Sequence, residues 1–543
     1  MFLATLSATL AFAAVPFHDC AAAADAVAIQ YHFAGASDLA ANTNFDRSKK
    51  IFNFPPARHF VDLVLDRLAG MYATALQFGP GADSAAQLRP ILSDLLQAES
   101  TGSFGGNDKT RMDFVLAARV DEKTAVAWQK HIETALHSSG EPLSAEGFSG
   151  HMWNRPDNHP LWMLRARDWI VAGRGNDLLP IRTEYLQNIK QDNRPRPVMK
   201  DTWLSAEVDW PLLATWMPLS RSPLKLARTI VDVTASGGRM RATAYVTYPE
   251  EVPWQTEPWR IPKDLVGSPL SSFTASRDLA AFLSPSDALS RLSSQPLTNQ
   301  LFCWALREMP LESFAAWPAK DAGNAMRRLG QGAPAVLNPI LASSKTRLNW
   351  TPQDDRLTWM GLPLTAPVLA SAHDNSGDFL EAKLFPLEGK VGKVSDELWS
   401  QFEQRDDIVY YDWELTGLRL LEWRVLSELL PGFQQAATVD ATRRPKPGQN
   451  AKPPPPPSAT PTPLAITEGW LDELGTPVLG NTVTEVARTS PTELTIVRNS
   501  QFLFTGMELV LLSHWLADAP MGPLDYSLLP RAKVSGPGLP PAH

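Results

Sequence analysis

Val409-Tyr410-Tyr411-Asp412-Trp413-Glu414-Leu415 reads as an apolar-rich extended run with an aspartate set to turn the chain into a helix. Asp is a good N-cap, because its carboxylate accepts from the first free helical N–H groups. The helix that follows places Leu415, Leu418, Val425, Leu426 and Leu429 on one face and stops at Pro431-Gly432. Three other stretches have the same form: Tyr31 to Ala40 around Asp38, Trp203 to Trp210 around Asp209, and Ser272 to Phe282 around Asp278.

Between these units lie hairpin signals. Ile230–Thr234 and Arg239–Thr247 flank Ala235-Ser236-Gly237-Gly238, where glycine supplies the positive φ of a tight turn. Val368–Ala372 and Phe379–Phe385 flank the 373–378 segment, and Trp162–Arg165 and Trp169–Ala172 flank Ala166-Arg167-Asp168. Leu494–Val497 and Phe502–Phe504 flank the 498–501 segment. The order strand–Asp–helix, then hairpin, therefore recurs four times, and two recurrences make one half. Pro253 to Pro269, rich in proline and tryptophan, marks the join. Unequal repeat lengths argue against a solenoid. The expected fold is α+β, with two related halves at 25–260 and 261–530, each an antiparallel sheet with helices packed on one face.

The ends and one insert differ from the rest. Residues 1–24 are set apart: Met1 to Phe17 is uncharged and mostly apolar, and Ala22-Ala23-Ala24 forms an A-x-A site before Asp25. This layout reads as a signal peptide, although no Lys or Arg precedes Arg47 to supply a basic n-region. It implies a periplasmic or secreted protein. Beyond it no stretch approaches 18 apolar residues, so no transmembrane segment is expected in the mature chain. Residues 441–463 carry four basic residues, no acidic ones and five consecutive prolines, the composition of an extended polyproline II loop. It interrupts the second half, and either a protein partner's aromatic groove or an anionic surface would suit it. Residues 531–543 form a flexible tail by composition.

The 543 residues carry a net charge of −8, and 44% are hydrophobic. No broad basic field exists to hold nucleic acid. Two cysteines exclude a disulfide scaffold, and cleavage near Ala24 leaves only Cys303, in an apolar run that suits a small buried side chain.

The chemistry-bearing motifs are sparse. None of the ten histidines forms His-Glu-x-x-His. His131 and His137 belong to a helix whose buried stripe is Ala125, Trp128, Ile132, Ala135 and Leu136, while His151 and His159 sit in a polar loop. Asp374-Asn375-Ser376-Gly377-Asp378 offers oxygen ligands for calcium but lacks the later bidentate Glu, and its residues suit a turn. Ser222-Pro223-Leu224-Lys225 has the Ser-x-x-Lys spacing without a companion Lys-Thr-Gly. Gly102 to Asp108 is glycine-rich but lacks the phosphate-loop lysine. Of eighteen tryptophans, Trp162, Trp169, Trp203, Trp210, Trp216, Trp254 and Trp259 cluster near the end of the first half, where filling the core is their expected use. No catalytic, cofactor-binding or metal-binding residue is assigned.

Tyr31-His32-Phe33-Ala34-Gly35, Asp66-Arg67-Leu68-Ala69-Gly70 and the run from Trp259 to Phe273-Thr274-Ala275-Ser276-Arg277 resemble large exported bacterial proteins of a Verrucomicrobia type, with a domain of unknown function. The resemblance implies export and no assigned activity, ligand or catalytic residue. The sequence thus leads to the expectation of a non-catalytic exported protein with a binding or assembly role in the cell envelope. One alternative is a hydrolase of envelope polymers whose site is assembled from distant segments. Another is an interaction scaffold using the 441–463 strap.

Overall fold

The computed structural model describes residues 27–517 apart from 77, 79–81, 108–111, 198–200, 215–226, 280–298, 308–312, 342–346, 362–364, 385–391, 427–462, 464 and 469–478. The leader at 1–24, the tail at 531–543, Ser222 and Lys225, and the 441–463 strap apart from Pro463 lie outside the described residues.

The first ten strands are β1 Val27–Phe33, β2 Ser100–Gly105, β3 Asp113–Arg119, β4 Glu141–Ala145, β5 Phe148–Trp153, β6 Leu161–Ala166, β7 Trp169–Arg174, β8 Thr202–Asp209, β9 Arg228–Ser236 and β10 Arg239–Thr247. Then come β11 Gly267–Ser268, β12 Leu270–Arg277, β13 Gln300–Leu306, β14 Ser313–Pro318, β15 Arg347–Thr351 and β16 Arg356–Met360. The last six are β17 Val368–Asp374, β18 Gly377–Lys383, β19 Gly392–Lys393, β20 Ile408–Leu415, β21 Asn481–Ser490 and β22 Glu493–Ser500. β11 and β19 pair with each other, and the other twenty strands form one antiparallel sheet.

Pairing fixes the spatial order of the first ten strands as β4-β5-β6-β7-β3-β2-β1-β8-β9-β10. The order then continues as β22-β21-β20-β12-β13-β14-β18-β17-β16-β15. With β11 and β19 set aside, both runs read the same from either edge: fourth, fifth, sixth, seventh, third, second, first, eighth, ninth and tenth strand of the run. The two runs meet where β10 pairs β22, with Thr243 opposite Val497 at the middle of the ladder.

Local chemistry explains most of the hairpins. Gly237 and Gly238, at φ 58° and 78°, close β9 onto β10 with the backbone a type I′ turn needs. The β6–β7 and β17–β18 hairpins also fall where the sequence predicts them. The hairpin expected across 498–501 does not form. β22 runs straight through to Ser500 and pairs β21 through the Pro491-Thr492 turn, while Phe502, Leu503 and Phe504 are buried outside any strand.

The four aspartates diverge. Asp209 caps a short helix, its carboxylate accepting from Leu212 N at 2.9 Å. Asp38 sits inside the first turn of the Ala36–Ala41 helix, behind Gly35. Asp278 stands at φ 61° and accepts from Gln255 N and Thr256 Oγ1. Asp412 lies within β20 and points across the sheet to Thr274 Oγ1 at 2.6 Å. Extended backbone carries the strand to Leu415, so the following helix starts at Thr416 and runs through the described residues to 426.

Helices lie on both faces of the sheet rather than on one. On one face the Pro55–Ala75, Ala82–Gln97 and Glu122–Leu136 helices pack on Ala118, Met163 and Ile170. On the other, Tyr185, Leu186 and Ile189 of the Leu179–Asp192 helix pack on Val115, Ala117, Leu164 and Val171. The physical reason is in β6, where Leu161, Trp162, Met163 and Leu164 are all buried, so neither face tolerates water. In the second run the Ala322–Leu341 helix covers Leu348, Leu357 and Leu380, while Trp399 and Phe402 pack behind Phe273, Phe302 and Tyr411. The Pro55–Ala75 helix also reaches the second run, where Phe60, Val64 and Leu68 share a core with Leu420, Leu509 and Trp515.

Candidate functional site

A cavity of about 140 Å³ lies between the first run of the sheet and its three helices. Tyr72 and Leu76 come from the first helix and its end, Leu88, Ile91 and Leu95 from the second, and Trp128 and Ile132 from the third. The sheet supplies Tyr31, Phe104, Phe114, Leu116, Leu161 and Ala172, with Phe78 and Trp153 closing the sides. Among the described residues no charged side chain lines it.

Gly102 makes room for one wall. A Cβ there would fall 2.5 Å from Tyr31 Cε1, so the Tyr31 ring lies across the glycine. The polar atoms of the lining are mostly satisfied. Tyr31 hydrogen-bonds Ser100, Trp128 Nε1 donates to Asp94 at 2.8 Å, and Trp162 Nε1 donates to Gly175 O. Tyr72 Oη is buried and has no hydrogen-bond partner among the described residues. Burial pushes its phenol well above the ordinary range, with Tyr31 adding to the shift, so it stays protonated. Trp153 Nε1 also lacks a partner among the described residues, but it lies against Gly140.

The same face of the sheet reads differently in the second run. One ladder row of the first run passes through Ala172, Leu116, Gly102, Tyr31, Ala206, Val231 and Ala244. The row at the same place in the second run passes through Ala382, Ala315, Cys303, Thr274, Asp412, Thr484 and Arg498. Apolar or small residues thus stand in one row, and in the other a thiol, hydroxyls, a carboxylate and a guanidinium.

Asp412 and Glu414 share this face because they are two apart on β20. Glu414 accepts from Gly506 N at 2.9 Å, the first residue of the Gly506–Leu516 helix. Burial, reinforced by Asp412, pushes Glu414 up to about 8. Asp412 is also raised by burial, against the pull of Thr274 and Arg498. Glu422 is raised by burial too, although it accepts from Ser271 Oγ at 2.5 Å and pairs with Arg419. Glu508 moves the other way. Burial opposes its ionisation, but Arg498 at 2.8 Å holds it below the ordinary range, and Glu508 completes a capping box with Thr505. The oxygens named here are taken up by protein donors, so the cluster ties two helices to the sheet.

The sequence candidates resolve into structural roles. His159 Nδ1 meets the buried Asp113 at 2.8 Å, and Asp113 also accepts from Asp177 N. Burial raises Asp113 despite both contacts. Asp374 accepts from Asp264 N and Ser376 N, so the 374–378 turn docks the 261–264 segment and engages its carboxylate with backbone. Among the described residues no group of three or more His, Cys, Asp or Glu is placed to hold a metal ion. Cys303 is largely buried, and burial pushes its thiol up to about 11, which suits a packing residue. Gly102 to Gly105 belong to β2, within the sheet. His131 packs against Gln87, and His137 ends its helix at φ 51°. Trp162 and Trp169 are core residues, and Trp216 lies outside the described residues.

The sequence reading did not single out Tyr72 or Phe78, nor Asp412 and Glu414 as a pair. The i, i+2 spacing in Tyr410-Asp412-Glu414 was the available signal for the pair. No described helix is long and apolar enough to cross a membrane. No family model, curated protein or solved structure matches this chain.

Proposed function

We propose that this chain is a non-catalytic binding protein of the cell envelope, in the periplasm or secreted, whose ligand occupies the cavity of the first run. The cavity itself carries the reading. The lining is almost wholly apolar and aromatic, so an apolar ligand that enters gains about 25 cal/mol per Å² of surface taken from water. The apolar run at 1–17 with the A-x-A site after it supports export. The matching strand order of the two runs supports descent from one duplicated unit, whose copies differ in this row, apolar or small in the first and largely polar in the second.

The hydrolase reading has one observation in its favour, the convergence of Asp412, Glu414 and Glu422 with raised pKa values. Their burial and their engagement by protein donors favour a structural role.

Filling the space tests the proposal. Ala172→Leu should stabilise the ligand-free protein by about 1–2 kcal/mol in urea denaturation, as cavity-filling changes commonly do. Saturating ethylbenzene and acetophenone should raise the Tm of the wild type and leave that of the variant where it is. A wild-type Tm unmoved by both compounds overturns the reading.

A further inference from the structure

We infer that the join between the two runs is a two-fold dimer contact held within one chain, so that β10 pairs with a second β10 once β22 is displaced. The partner it fits is the first run of another copy of this chain, and the inference does not depend on the cavity.

Equivalence between the runs is fixed from two sides. Counted from the hairpin turns, Arg239 after Gly237-Gly238 corresponds to Glu493 after Pro491-Thr492, which makes Thr243 the counterpart of Val497. Counted from the eighth strand of each run, the helices that follow begin at Trp210 and Thr416, which makes Ala206 the counterpart of Asp412. The ladders carry Ala206 through Val231 to Ala244, and Asp412 through Thr484 to Arg498. Both counts give the same correspondence. Tenth strand therefore faces tenth strand, antiparallel, with Thr243 opposite its own counterpart. Ala242 faces the counterpart of Ala244 and Ala244 that of Ala242, and Arg241 and Tyr245 are exchanged in the same way. A contact in which residue i meets j and j meets i is the isologous contact of a two-fold dimer.

β10 is compatible with itself in this register. Thr243 would meet Thr243, Ala242 would meet Ala244, Met240 would meet Val246, and Arg241 would meet Tyr245. No like charges oppose each other, and the apolar positions stay together. Within the intact chain the linker holds the second run at an effective concentration of about millimolar, so β22 takes the edge first. The Phe60, Val64 and Leu68 stripe of the Pro55–Ala75 helix adds to that hold.

A cysteine at the dyad reads the pairing. Hydrogen-bonded pairs alternate from Ser236 and Arg239 at the turn, so Thr243 bonds to β9 and forms a non-hydrogen-bonded pair across the join. Such pairs bring Cα atoms to about 4.5 Å, within disulfide range. Two copies of Tyr245 would stand about 13 Å apart along the strands, out of reach. The full chain, carrying Cys20→Ser and Cys303→Ser, receives a protease site between the exposed Glu250 and Glu251 and either Thr243→Cys or Tyr245→Cys. The Tm of each intact variant checks the fold. After cutting, in glutathione buffer with urea below the unfolding transition, Thr243→Cys should give a covalent dimer of first halves. Its yield should be about tenfold that of Tyr245→Cys, because only the dyad position places the two sulfurs together. Absence of this dimer after cutting, whether or not the released half keeps its fold, overturns the inference. Equal yields at the two positions would mark random collision and overturn it as well.

Discussion

Glu414 shows how one residue changes meaning with its surroundings. In sequence it is one acid in an alternating strand. In the fold it is 4% exposed and accepts from Gly506 N, joining β20 to the Gly506–Leu516 helix. Its folded pKa, about 8, lies above its ordinary value of 4.5. A carboxyl raised in this way stabilises the fold fully below the unfolded value, and that contribution is lost as pH rises through the folded value. Asp412 and Glu422 carry the same sign, since both are raised. Glu508, lowered beside Arg498, has the opposite sign and favours the fold once pH exceeds its unfolded value. Arg419 and Arg498 are the cations facing the cluster. Stability should therefore fall as pH climbs from about 5 to about 9, and Glu414→Gln should flatten part of that fall. Tm measured across this range for both proteins checks it; parallel curves would show that Glu414 ionisation is not the source. The raised pair was half legible in the sequence. The spacing put both acids on one side of a strand, but only tertiary contacts say that this side is dry.

At the scale of elements, the edges of the sheet show how the chain limits unwanted pairing. β15 is one edge, and Asn338 of the Ala322–Leu341 helix grips it. Its Nδ2 donates to Leu348 O at 3.1 Å, and its Oδ1 accepts from Leu348 N at 2.6 Å. A side-chain amide thus takes the backbone donor and acceptor that a neighbouring strand would otherwise seek. At the other edge, Pro142 in β4 removes one donor outright. Asn338→Ala should cost about 1–2 kcal/mol, the worth of one or two net hydrogen bonds. It should also speed amide exchange at Leu348. Exchange at wild-type rates would mean that the edge is protected by something other than this amide. Three hairpins were legible because their turn chemistry is local, as at Gly237-Gly238. The β21–β22 hairpin was missed because the aromatic run at Phe502 and Phe504 outweighed Pro491 in the pattern, although those rings pack under helices rather than in a ladder. Of the predicted aspartate caps, Asp209 forms as expected, whereas Asp38 lies inside its helix and Asp412 within β20, because a cap needs a free helical N–H group in reach and Asp412 meets Thr274 across the sheet instead; the helix expected from 280 onward after Asp278 lies outside the described residues.

At the scale of the molecule, the two ten-strand runs are joined edge to edge by β10 and β22. Backbone hydrogen bonds across that pair make the sheet continuous, and the Pro55–Ala75 helix packs across both runs. Unfolding should therefore be a single transition. Ile496→Pro, opposite Ala244 in the β10–β22 ladder and on the side of β22 whose Thr492 carbonyl accepts from Tyr248 N, removes a backbone donor and crowds the pairing. It should split urea unfolding into two transitions and leave most far-UV circular dichroism intact at zero denaturant; one undivided transition would show that helix packing alone couples the runs. The sequence by itself determined the α+β class, the antiparallel sheet and three of its hairpins, since alternation and turn residues act over a few neighbours. The order of twenty strands, the presence of helices on both faces, the cavity under Tyr72 and the dry setting of Asp412 and Glu414 were decided only by tertiary structure. Volume and desolvation belong to segments that meet from far apart in the chain, and no local pattern records which of them will meet.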